Sequence, residues 1–533
     1  MITKIKIHGY RIYKELMLNP NPRMNIIVGG NEAGKSTLME AITLALTGRI
    51  NGRSAYEELN SYWFNTNLVA EFLHRRACGQ RVSLPEIRIE LFFENRPELQ
   101  VLCGAINSDV PTNACPGVSL SIIPNPEYAD ELDEWMKNPS PLLPVEYYSV
   151  DWRSFADNKL TNRPKQLVTA IIDSRTVRSS SGIDFHLRQI LSDHLEPAEK
   201  ASISLLYRGV KASMSDTALA GVNKRIGTLH ASLYDQSIAL AMDQSSRTSW
   251  EAAVTPHVNN VPFSMSGQGQ QASIKISLAM SRHSGQANFV MIEEPENHLS
   301  HTSLTILLSR LETLAGEQQQ LFITTHSTFV LNRLGLGSLL LIGRDSVSKI
   351  SELNPDTVSY FQKLPGYDTL RMALANKVVL VEGPSDEIIF ERIFQDLFGK
   401  RPMEFGVDVI SMRGLSLGRC LELCAALDKN VAVLRDNDGI DPVLLREPVE
   451  NWLASGRREL FIGCVENGTT LEPQLVHHNS EASIRAILGI TKTANLTTWM
   501  NREKTETALR IASASQSITP PDYMKDAARF IHG

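Results

Sequence analysis

The chain has 533 residues, of which 42% are hydrophobic and 21% are charged, a composition typical of folded domains that excludes a disordered tail. It carries 53 Lys and Arg residues against 59 Asp and Glu residues, and the net charge of −6 excludes a histone-like protein while leaving room for local basic faces that bind nucleic acid. No apolar stretch reaches the ~18 residues that a membrane helix needs, and the N-terminus lacks a signal-peptide pattern, so we expect a cytoplasmic protein that does not enter a membrane.

The first part of the chain predicts several strands around one helix. Apolar alternation and short apolar runs predict strands at residues 5–7, 24–28, 86–93, 118–123 and 145–150. A helix is predicted from Lys35, with an apolar face at helical spacing. Residues 164–243 lack strand alternation and predict a mostly helical insertion. Alternation then resumes, with buried strands at 288–292 and 321–325 and a helix at 303–315.

A glycine-rich turn lies between the second predicted strand and the helix. Residues 29–36, GGNEAGKS, fit the phosphate-binding pattern GxxxxGK[ST]. In that pattern, backbone N–H groups cradle phosphate oxygens, the lysine places a charge near the β- and γ-phosphates, and the hydroxyl binds Mg²⁺. A chance glycine turn is the alternative, and the flanking strand and helix argue against it. The predicted ATP-binding residues are Gly29, Asn31, Gly34, Lys35, Ser36 and Thr37.

Two acids and a histidine follow the later buried strands. Residues 288–292 lead directly into Glu293 and Glu294, and the strand at 321–325 leads into His326. Glu293, with Ser36, would orient Mg²⁺, and Glu294 would polarise the attacking water. His326 would contact the γ-phosphate. Taken singly, adjacent acids are usually a solvated face and a lone histidine is usually structural.

The loop ahead of these acids reads SMSGQGQ, at residues 264–270. It resembles the signature loop of ABC ATPases, and the order of P-loop, signature, double acid and histidine resembles ABC-type ATPases of the SMC and DNA-repair kind. The resemblance implies that Ser266, Gly267 and Gly269 contact a nucleotide held by another subunit, and therefore that the heads dimerise. Glu293 departs from that family, which usually has Asp there.

A second alternating block begins near residue 377. Strands are predicted at 378–381, 405–411, 431–434 and 460–465, with helices at 385–397 and 417–427 and further helices over 480–533. This pattern predicts a separate α/β domain with a parallel sheet. Acids follow two of its strands: Glu382 with Asp386 four residues later, and Asp436 with Asp438. Parallel strands present their carboxyl ends at one edge, and clustered carboxylates need cations such as Mg²⁺ or Mn²⁺. Solvated loop acids are the alternative.

This arrangement of Glu and Asp-x-Asp on alternating strands resembles the Toprim domain of topoisomerases, primases and some nucleases. An ABC-type ATPase followed by a Toprim domain resembles the OLD (overcoming lysogenization defect) family of nucleases, which includes phage-defence effectors. The resemblance implies that Lys525 stabilises charge on the phosphate, and that divalent metal is held by a set of acids: Glu382, Asp386, Asp436, Asp438 and, in the Thr-Leu-Glu sequence, Glu472.

The predicted fold class is therefore α/β, an ABC-type P-loop ATPase head with a helical insertion followed by a Toprim domain. The expected division is residues 1–163 and 244–370 for the ATPase, 164–243 for the insertion, which would also serve dimerisation, and 371–533 for the Toprim domain with its C-terminal helices. The predicted function is that of an ATP-regulated, metal-dependent DNA endonuclease in anti-phage defence.

Two rival functions stay open. One is an ATP-driven DNA-binding sensor with an inactive Toprim domain, and the other is a topoisomerase-like enzyme, which would need a nucleophilic tyrosine in a recognisable context. The expected partners are DNA and further copies of the chain. Related defence nucleases act alone or with a second component, in some cases a retron reverse transcriptase and its small DNA.

Overall fold

A computed structural model describes the following residues: 1–29, 33–50, 53–80, 82–137, 139–140, 142–173, 195–227, 238–245, 250, 257–267, 269–271, 273–274, 287–297, 299–314, 319–334, 336–342, 347–349, 353–363, 367–490 and 495–533. Within them the strands are β1 Ile2–Tyr10, β2 Tyr13–Leu18, β3 Met24–Val28, β4 Arg49–Ile50, β5 Arg53–Ser54, β6 Ile87–Phe93, β7 Cys103–Gly104, β8 Cys115–Pro124, β9 Tyr148–Ser154, β10 Leu167–Asp173, β11 His257–Val258, β12 Val261–Pro262, β13 Ala287–Glu293, β14 Gln319–Thr324, β15 Leu339–Ile342, β16 Val347–Lys349, β17 Lys377–Val381, β18 Val407–Ser411, β19 Asn430–Arg435 and β20 Arg458–Ile462.

The helices of the same residues are α1 Lys35–Thr47, α2 Ala55–Glu58, α3 Thr66–Ala77, α4 Ala129–Lys137, α5 Pro197–Thr217, α6 Ala220–Gly227, α7 His301–Leu314, α8 Thr328–Leu334, α9 Pro355–Lys363, α10 Tyr367–Leu374, α11 Pro384–Phe398, α12 Leu417–Ala426, α13 Pro442–Arg446, α14 Leu471–His478, α15 Glu481–Leu488, α16 Leu496–Arg502, α17 Lys504–Ser513 and α18 Asp522–His532. None of the described helices is long and apolar enough to cross a membrane.

An antiparallel sheet forms the N-terminal layer. Its strand order is β2-β1-β6-β8-β7, with β9 also paired to β8. The strand predicted at 145–150 begins only at Tyr148, because Val145–Tyr147 forms a 3₁₀ turn. Helix α1 packs between this sheet and the next one and buries Leu38, Ile42 and Leu46.

A second, mostly parallel sheet carries the predicted phosphate turn. Its order is β10-β13-β14-β3-β15-β16, and only β16 runs antiparallel. Its strands are buried on both faces: Ile26 and Val28 face one core, while Ile27 faces the other. This sheet therefore places the turn after β3 two strands from the acids after β13.

The predicted helical insertion is wrong at its start. Residues 167–173 form strand β10, which pairs in parallel with β13 from Leu167↔Ala287 to Asp173↔Glu293. The apolar run LVTAII is a buried edge strand, and periodicity alone does not separate such a run from a buried helix. Helices α5 and α6 confirm helical structure later in the range, whereas residues 174–194 and 228–237 lie outside the described residues.

The C-terminal block has a parallel sheet, as the sequence predicted, and its strand order is β18-β17-β19-β20. One face of this sheet packs against α11 and the C-terminal helices. The other face packs against α12 and joins the core of the sheet that carries the glycine-rich turn, where Phe361, Met372 and Val378 belong to the same buried cluster as Ile26. The two sheets therefore share one continuous hydrophobic core.

All six cysteines are free thiols. Cys420 and Cys424 are buried, whereas Cys78 and Cys464 are exposed.

Candidate active sites

The glycine-rich turn joins β3 to α1, with Lys35 as the first helical residue. Lys35 is only 6% exposed, and its Nζ donates to the carbonyl oxygen of Gly29 at 3.0 Å. Burial lowers the pKa of this ammonium, and the charges of Glu294 and Glu296 oppose that shift. Lys35 thus lies at the base of the turn as a buried cation, where it can meet phosphate.

Glycine is required at both ends of this turn. Gly34 has φ +100°, a conformation that side chains rarely adopt. A Cβ at Gly29 would lie 2.6 Å from the carbonyl oxygen of Ile342. The middle of the turn, including Asn31, lies outside the described residues.

The first predicted acid meets the helix start directly. The hydroxyl of Ser36 donates to Glu293 Oε2 at 3.2 Å, so the two predicted magnesium ligands are adjacent. Ser36 is exposed and Thr37 is half-buried, both in the first turn of α1. Oxygen donors of this kind suit Mg²⁺.

Glu294 is held in a strained turn just after β13. Its φ is +45°, and its backbone N–H donates to the carbonyl oxygen of Thr324 at 2.9 Å. Its Oε2 accepts from Asn297 at 2.7 Å, and its Oε1 lies 3.3 Å from Nε2 of His326. The structure thus brings the predicted base and the predicted γ-phosphate contact together, across β13 and β14.

The predicted signature loop forms a turn of its own. Ser266 closes a 3₁₀ turn through its N–H to Phe263, and Gln271 donates to the carbonyl oxygens of Gly267 and Ser266. Gly267 is exposed, Gly269 half-buried, and a Cβ at Gly267 would meet open space. An exposed turn of this kind is compatible with contact from another subunit.

The second site lies at the carboxyl ends of β17 and β19. Glu382 follows β17, and Asp436 follows β19. The backbone N–H of Asp436 donates to Glu382 Oε1 at 3.3 Å. Asp386 lies in the first turn of α11 and accepts from the N–H of Gly383 at 2.9 Å. Parallel pairing of adjacent strands therefore brings these distant acids to one edge, as predicted.

The acids influence one another strongly. Burial raises the pKa of Asp436 to about 8, and the charges of Asp386, Glu382 and Glu472 add to that rise. Burial also raises the pKa of Asp386 to about 6, and that of Glu382 above its usual value. Glu472 is 3% exposed, accepts from Thr470 Oγ1 at 3.0 Å, and lies 3.7 Å from the Lys504 ammonium. A cation would relieve this repulsion.

Asn437, between the two aspartates, fixes their turn. It is 1% exposed, and its Nδ2 donates to the carbonyl oxygens of Gly463 at 3.0 Å and Gly468 at 2.8 Å. Its Oδ1 accepts from the N–H of Gly439 at 2.9 Å. Asp438 has φ +48°, and its backbone N–H donates to the carbonyl oxygen of Thr469 at 3.0 Å.

The donor set fits a divalent cation in chemistry, since it is made of carboxylates whose pKa values stay raised although Lys504 and Arg435 lie nearby. The side chains approach one another without forming a closed cage. Across the described part of the chain, no three acidic, histidine or cysteine side chains are arranged closely enough to hold one ion. Arg435 lies 4.0 Å from Glu382 and is the nearest cation to that acid that the structure records.

Sequence reasoning missed Tyr523 and Glu296. Tyr523 lies in α18, is buried, and has its pKa raised by burial and then by the charges of Asp436 and Asp386. The predicted Lys525 is half-buried on the same helix. Nothing in the sequence signals Tyr523, because its position depends on packing against the segment that carries Asp436, 87 residues away. Glu296, by contrast, stands two residues after the double acid and could have been considered.

Three family models match parts of the chain: an AAA domain over residues 4–99, an AAA ATPase domain over 154–331, and an "Overcoming lysogenization defect protein-like, TOPRIM domain" over 374–438. The last range contains Glu382, Asp386, Asp436 and Asp438, and the first contains the glycine-rich turn. The α/β class with an ATPase head and a Toprim domain is confirmed.

Similar proteins include the DNA replication and repair protein RecF of Desulforamulus reducens, 23% identical over 66% of this chain and 99% of the relative. Among solved structures, the C-terminal region of the Burkholderia pseudomallei OLD protein is 18% identical, covers 30% of this chain and 97% of its own, and has a TM-score of 0.24. A structure of the recombination mediator RecF with ATP is 12% identical, covers 66% and 99%, and has a TM-score of 0.34.

Proposed function

Because this chain joins AAA ATPase domains to an OLD-like Toprim domain, as an OLD-family ATPase–Toprim protein does, we propose that it is an ATP-regulated, divalent-metal-dependent DNA endonuclease. The single observation that carries the nuclease assignment is the carboxylate cluster at the ends of β17 and β19, where burial and mutual repulsion raise the pKa of Asp436 to about 8. Such a cluster is costly to a fold unless it serves a cation.

In this proposal Glu382, Asp436 and Asp438 hold the metal, with Asp386 and Glu472 as further ligands. Mg²⁺ or Mn²⁺, when bound, would supply an activated water and charge stabilisation for a phosphodiester. The chain's own contribution is positioning. Asn437 fixes the turn that carries Asp436 and Asp438, and Lys525 is proposed to stabilise charge on the phosphate.

The ATP site belongs to the same proposal. Lys35 would meet the β- and γ-phosphates, and Ser36 with Glu293 would hold Mg²⁺. Glu294 would accept the proton of the attacking water, with His326 beside it at 3.3 Å. Ser266 would complete the site of another copy, so the chain would work as a dimer or a higher homo-oligomer through its ATPase heads.

The proposed substrate is DNA, which is supported by the curated relatives described as DNA replication and repair proteins. The proposed setting is anti-phage defence, in the cytoplasm, alone or with a second component such as a retron reverse transcriptase and its small DNA. The neighbouring genes would identify that component.

Asp436→Ala tests whether the two sites are separable. Removing one ligand charge should abolish cleavage of plasmid DNA in Mg²⁺ or Mn²⁺, whereas ATP turnover should be largely retained, because Lys35 and Glu294 belong to the other sheet. DNA binding should persist, since phosphate contacts carry most non-specific affinity. Both activities are measured on one preparation. Wild-type cleavage would place the nuclease site elsewhere, and loss of both activities in a folded variant would mean that the sites are coupled.

One observation favours a second function. The described acids do not form a closed metal cage. An ATP-driven DNA sensor with an inactive Toprim domain would also lack such a cage. Wild-type protein that binds DNA and hydrolyses ATP but never nicks a plasmid, over a range of Mg²⁺ and Mn²⁺ concentrations, would establish that alternative. Closed relaxed circles among the products would indicate a topoisomerase-like enzyme instead.

A further inference from the structure

The loop that carries His326 is held by one carboxylate oxygen. Glu296 Oε1 accepts from the hydroxyl of Thr325 at 2.8 Å, from the backbone N–H of His326 at 2.8 Å and from the backbone N–H of Ser327 at 3.1 Å. The three donors are consecutive residues between β14 and α8. One carboxylate oxygen therefore contacts all three residues of the loop, whose only hydrogen bond to a neighbouring strand among the described residues is the N–H of Thr325 to the carbonyl oxygen of Ile27 at 3.3 Å.

Thr325 and the second oxygen of Glu296 are buried beside these hydrogen bonds. Thr325 is fully buried, and its hydroxyl also accepts from the N–H of Ser327 at 3.0 Å. Glu296 Oε2 is buried and has no hydrogen-bond partner among the described residues. The two oxygens of Glu296 are thus unequal: one orders the loop, and the other takes part in no hydrogen bond there.

This carboxylate lies next to the proposed chemistry without being its base. Glu294, two residues earlier, accepts from Asn297 and lies 3.3 Å from Nε2 of His326. The distance between Glu294 and the imidazole depends on where the His326 backbone lies. Glu296 sets that backbone position.

We infer that Glu296 is a positioning residue of the ATPase site, which holds the loop at residues 325–327 so that His326 stays beside Glu294. The inference rests on the proposed ATPase function. It states that the site needs an oxygen acceptor at this one point, and needs neither a negative charge nor a proton acceptor there. The property of Glu296 that matters is the length of its side chain, which places an oxygen next to the donors of residues 325–327.

Three substitutions separate reach from charge. Glu296→Gln keeps an acceptor oxygen at the same distance and removes the charge, and its amide nitrogen can occupy the place of the unpartnered Oε2. Glu296→Asp keeps the charge and withdraws the oxygen by one methylene. Glu296→Ala removes the acceptor. We expect kcat for ATP to remain within about threefold of wild type in Glu296→Gln and to fall roughly 10- to 100-fold in the Asp and Ala variants, as a misplaced catalytic group predicts.

Affinity for the nucleotide should change little, because the substitutions leave Lys35 and the glycine-rich turn in place, and Glu294, which supports the Lys35 charge more than Glu296 does, remains. The measurement is therefore steady-state ATP hydrolysis, with kcat and KM determined separately, together with equilibrium binding of a non-hydrolysable ATP analogue. Retained analogue binding also demonstrates that each variant is folded at the site.

A pair of threonines gives the matched control. Thr325→Val removes one of the three donors with almost no change of shape and should lower kcat by a smaller factor. Thr357→Val removes a bond of the same kind, from a buried hydroxyl of α9 to Glu422 Oε2 of α12 at 2.6 Å, and neither helix carries a residue of the proposed ATP site. It should leave kcat and KM unchanged.

The outcomes separate the inference from the proposed function. Wild-type protein that does not hydrolyse ATP would overturn the proposed function. If wild-type protein hydrolyses ATP, then an inactive Gln variant with an active Asp variant would make Glu296 a base or a metal ligand, and would overturn the inference. Wild-type kcat in all three Glu296 variants would overturn it as well.

Discussion

Asp436→Asn should make the metal-free protein more stable while it abolishes the proposed nuclease activity. The pKa of the Asp436 carboxyl is about 8 rather than its usual 3.8, chiefly because the group is buried and then because the charges of four nearby acids add to the rise. The folded state therefore binds the proton more tightly than the unfolded chain does. Protonation of Asp436 therefore stabilises the folded state. This contribution is fully present below pH 3.8 and is lost as the pH rises to about 8.

The size of the effect follows from that difference in pKa. Each pKa unit corresponds to about 1.4 kcal/mol, so the change from 3.8 to about 8 gives a ceiling of roughly 6 kcal/mol above pH 8. At pH 5 the same arithmetic gives about 1.6 kcal/mol. The neighbouring acids titrate together and share this effect, so we expect about half of the calculated difference between pH 8.5 and pH 5. The gain in the free energy of unfolding of Asp436→Asn over wild type should therefore be about 2 kcal/mol larger at pH 8.5 than at pH 5.

Urea denaturation in EDTA at the two pH values, followed by circular dichroism, measures this gain for wild type and variant. Asp526→Asn is the matched control, since that carboxylate is 60% exposed on α18 and should give a pH-independent change near zero. An Asp436→Asn variant that is less stable than wild type, or that gains equally at both pH values, would refute the reasoning.

Three further substitutions test the ATPase site. Lys35→Ala should weaken nucleotide binding roughly 10- to 100-fold, because the phosphates lose a charged hydrogen-bond donor, and unchanged affinity in a binding titration would remove Lys35 from the site. Glu294→Gln should preserve ATP binding and slow hydrolysis about 100-fold or more, because an amide cannot accept the proton of water; a wild-type hydrolysis rate would make Glu294 the wrong base. Ser266→Arg should lower ATP hydrolysis and remove ATP-dependent dimers in light scattering, although the residue is far from the glycine-rich turn in sequence, and normal hydrolysis by the folded variant would exclude a shared site.

Much of this architecture can be predicted from local sequence, because its signals are local. The strand at Met24–Val28 and the strand ahead of Asp436 are short apolar runs followed by a glycine or an acid, and the helix from Lys35 has apolar residues at helical spacing. The adjacency of Glu382 and Asp436 also followed, since parallel strands present their carboxyl ends at one edge.

What could not be predicted depends on contacts between distant segments. Strand β10 is defined by its pairing with β13, 120 residues away, and by nothing in its own periodicity. Glu296 stands visibly close to the double acid in the sequence, but its contacts with residues 325–327 exist only because β13 and β14 lie side by side. Tyr523 reaches the acid cluster only because α18 packs on the strands that carry it.

The shared hydrophobic core constrains how the two halves of the chain can evolve. Met372 and Phe361 pack in the same buried cluster as Ile26 of the ATPase sheet and Leu421 beside the Toprim sheet. If recombination replaced one half of the chain with that of a homologue, the new half would have to pack against the side chains of this shared cluster. These side chains contact residues of both halves, so a change on one side affects packing on the other. The halves are therefore expected to be inherited together and to accumulate compensating changes across the junction, and a graft that joins the Toprim half to a different ATPase head should carry residues 353–374 with the Toprim half.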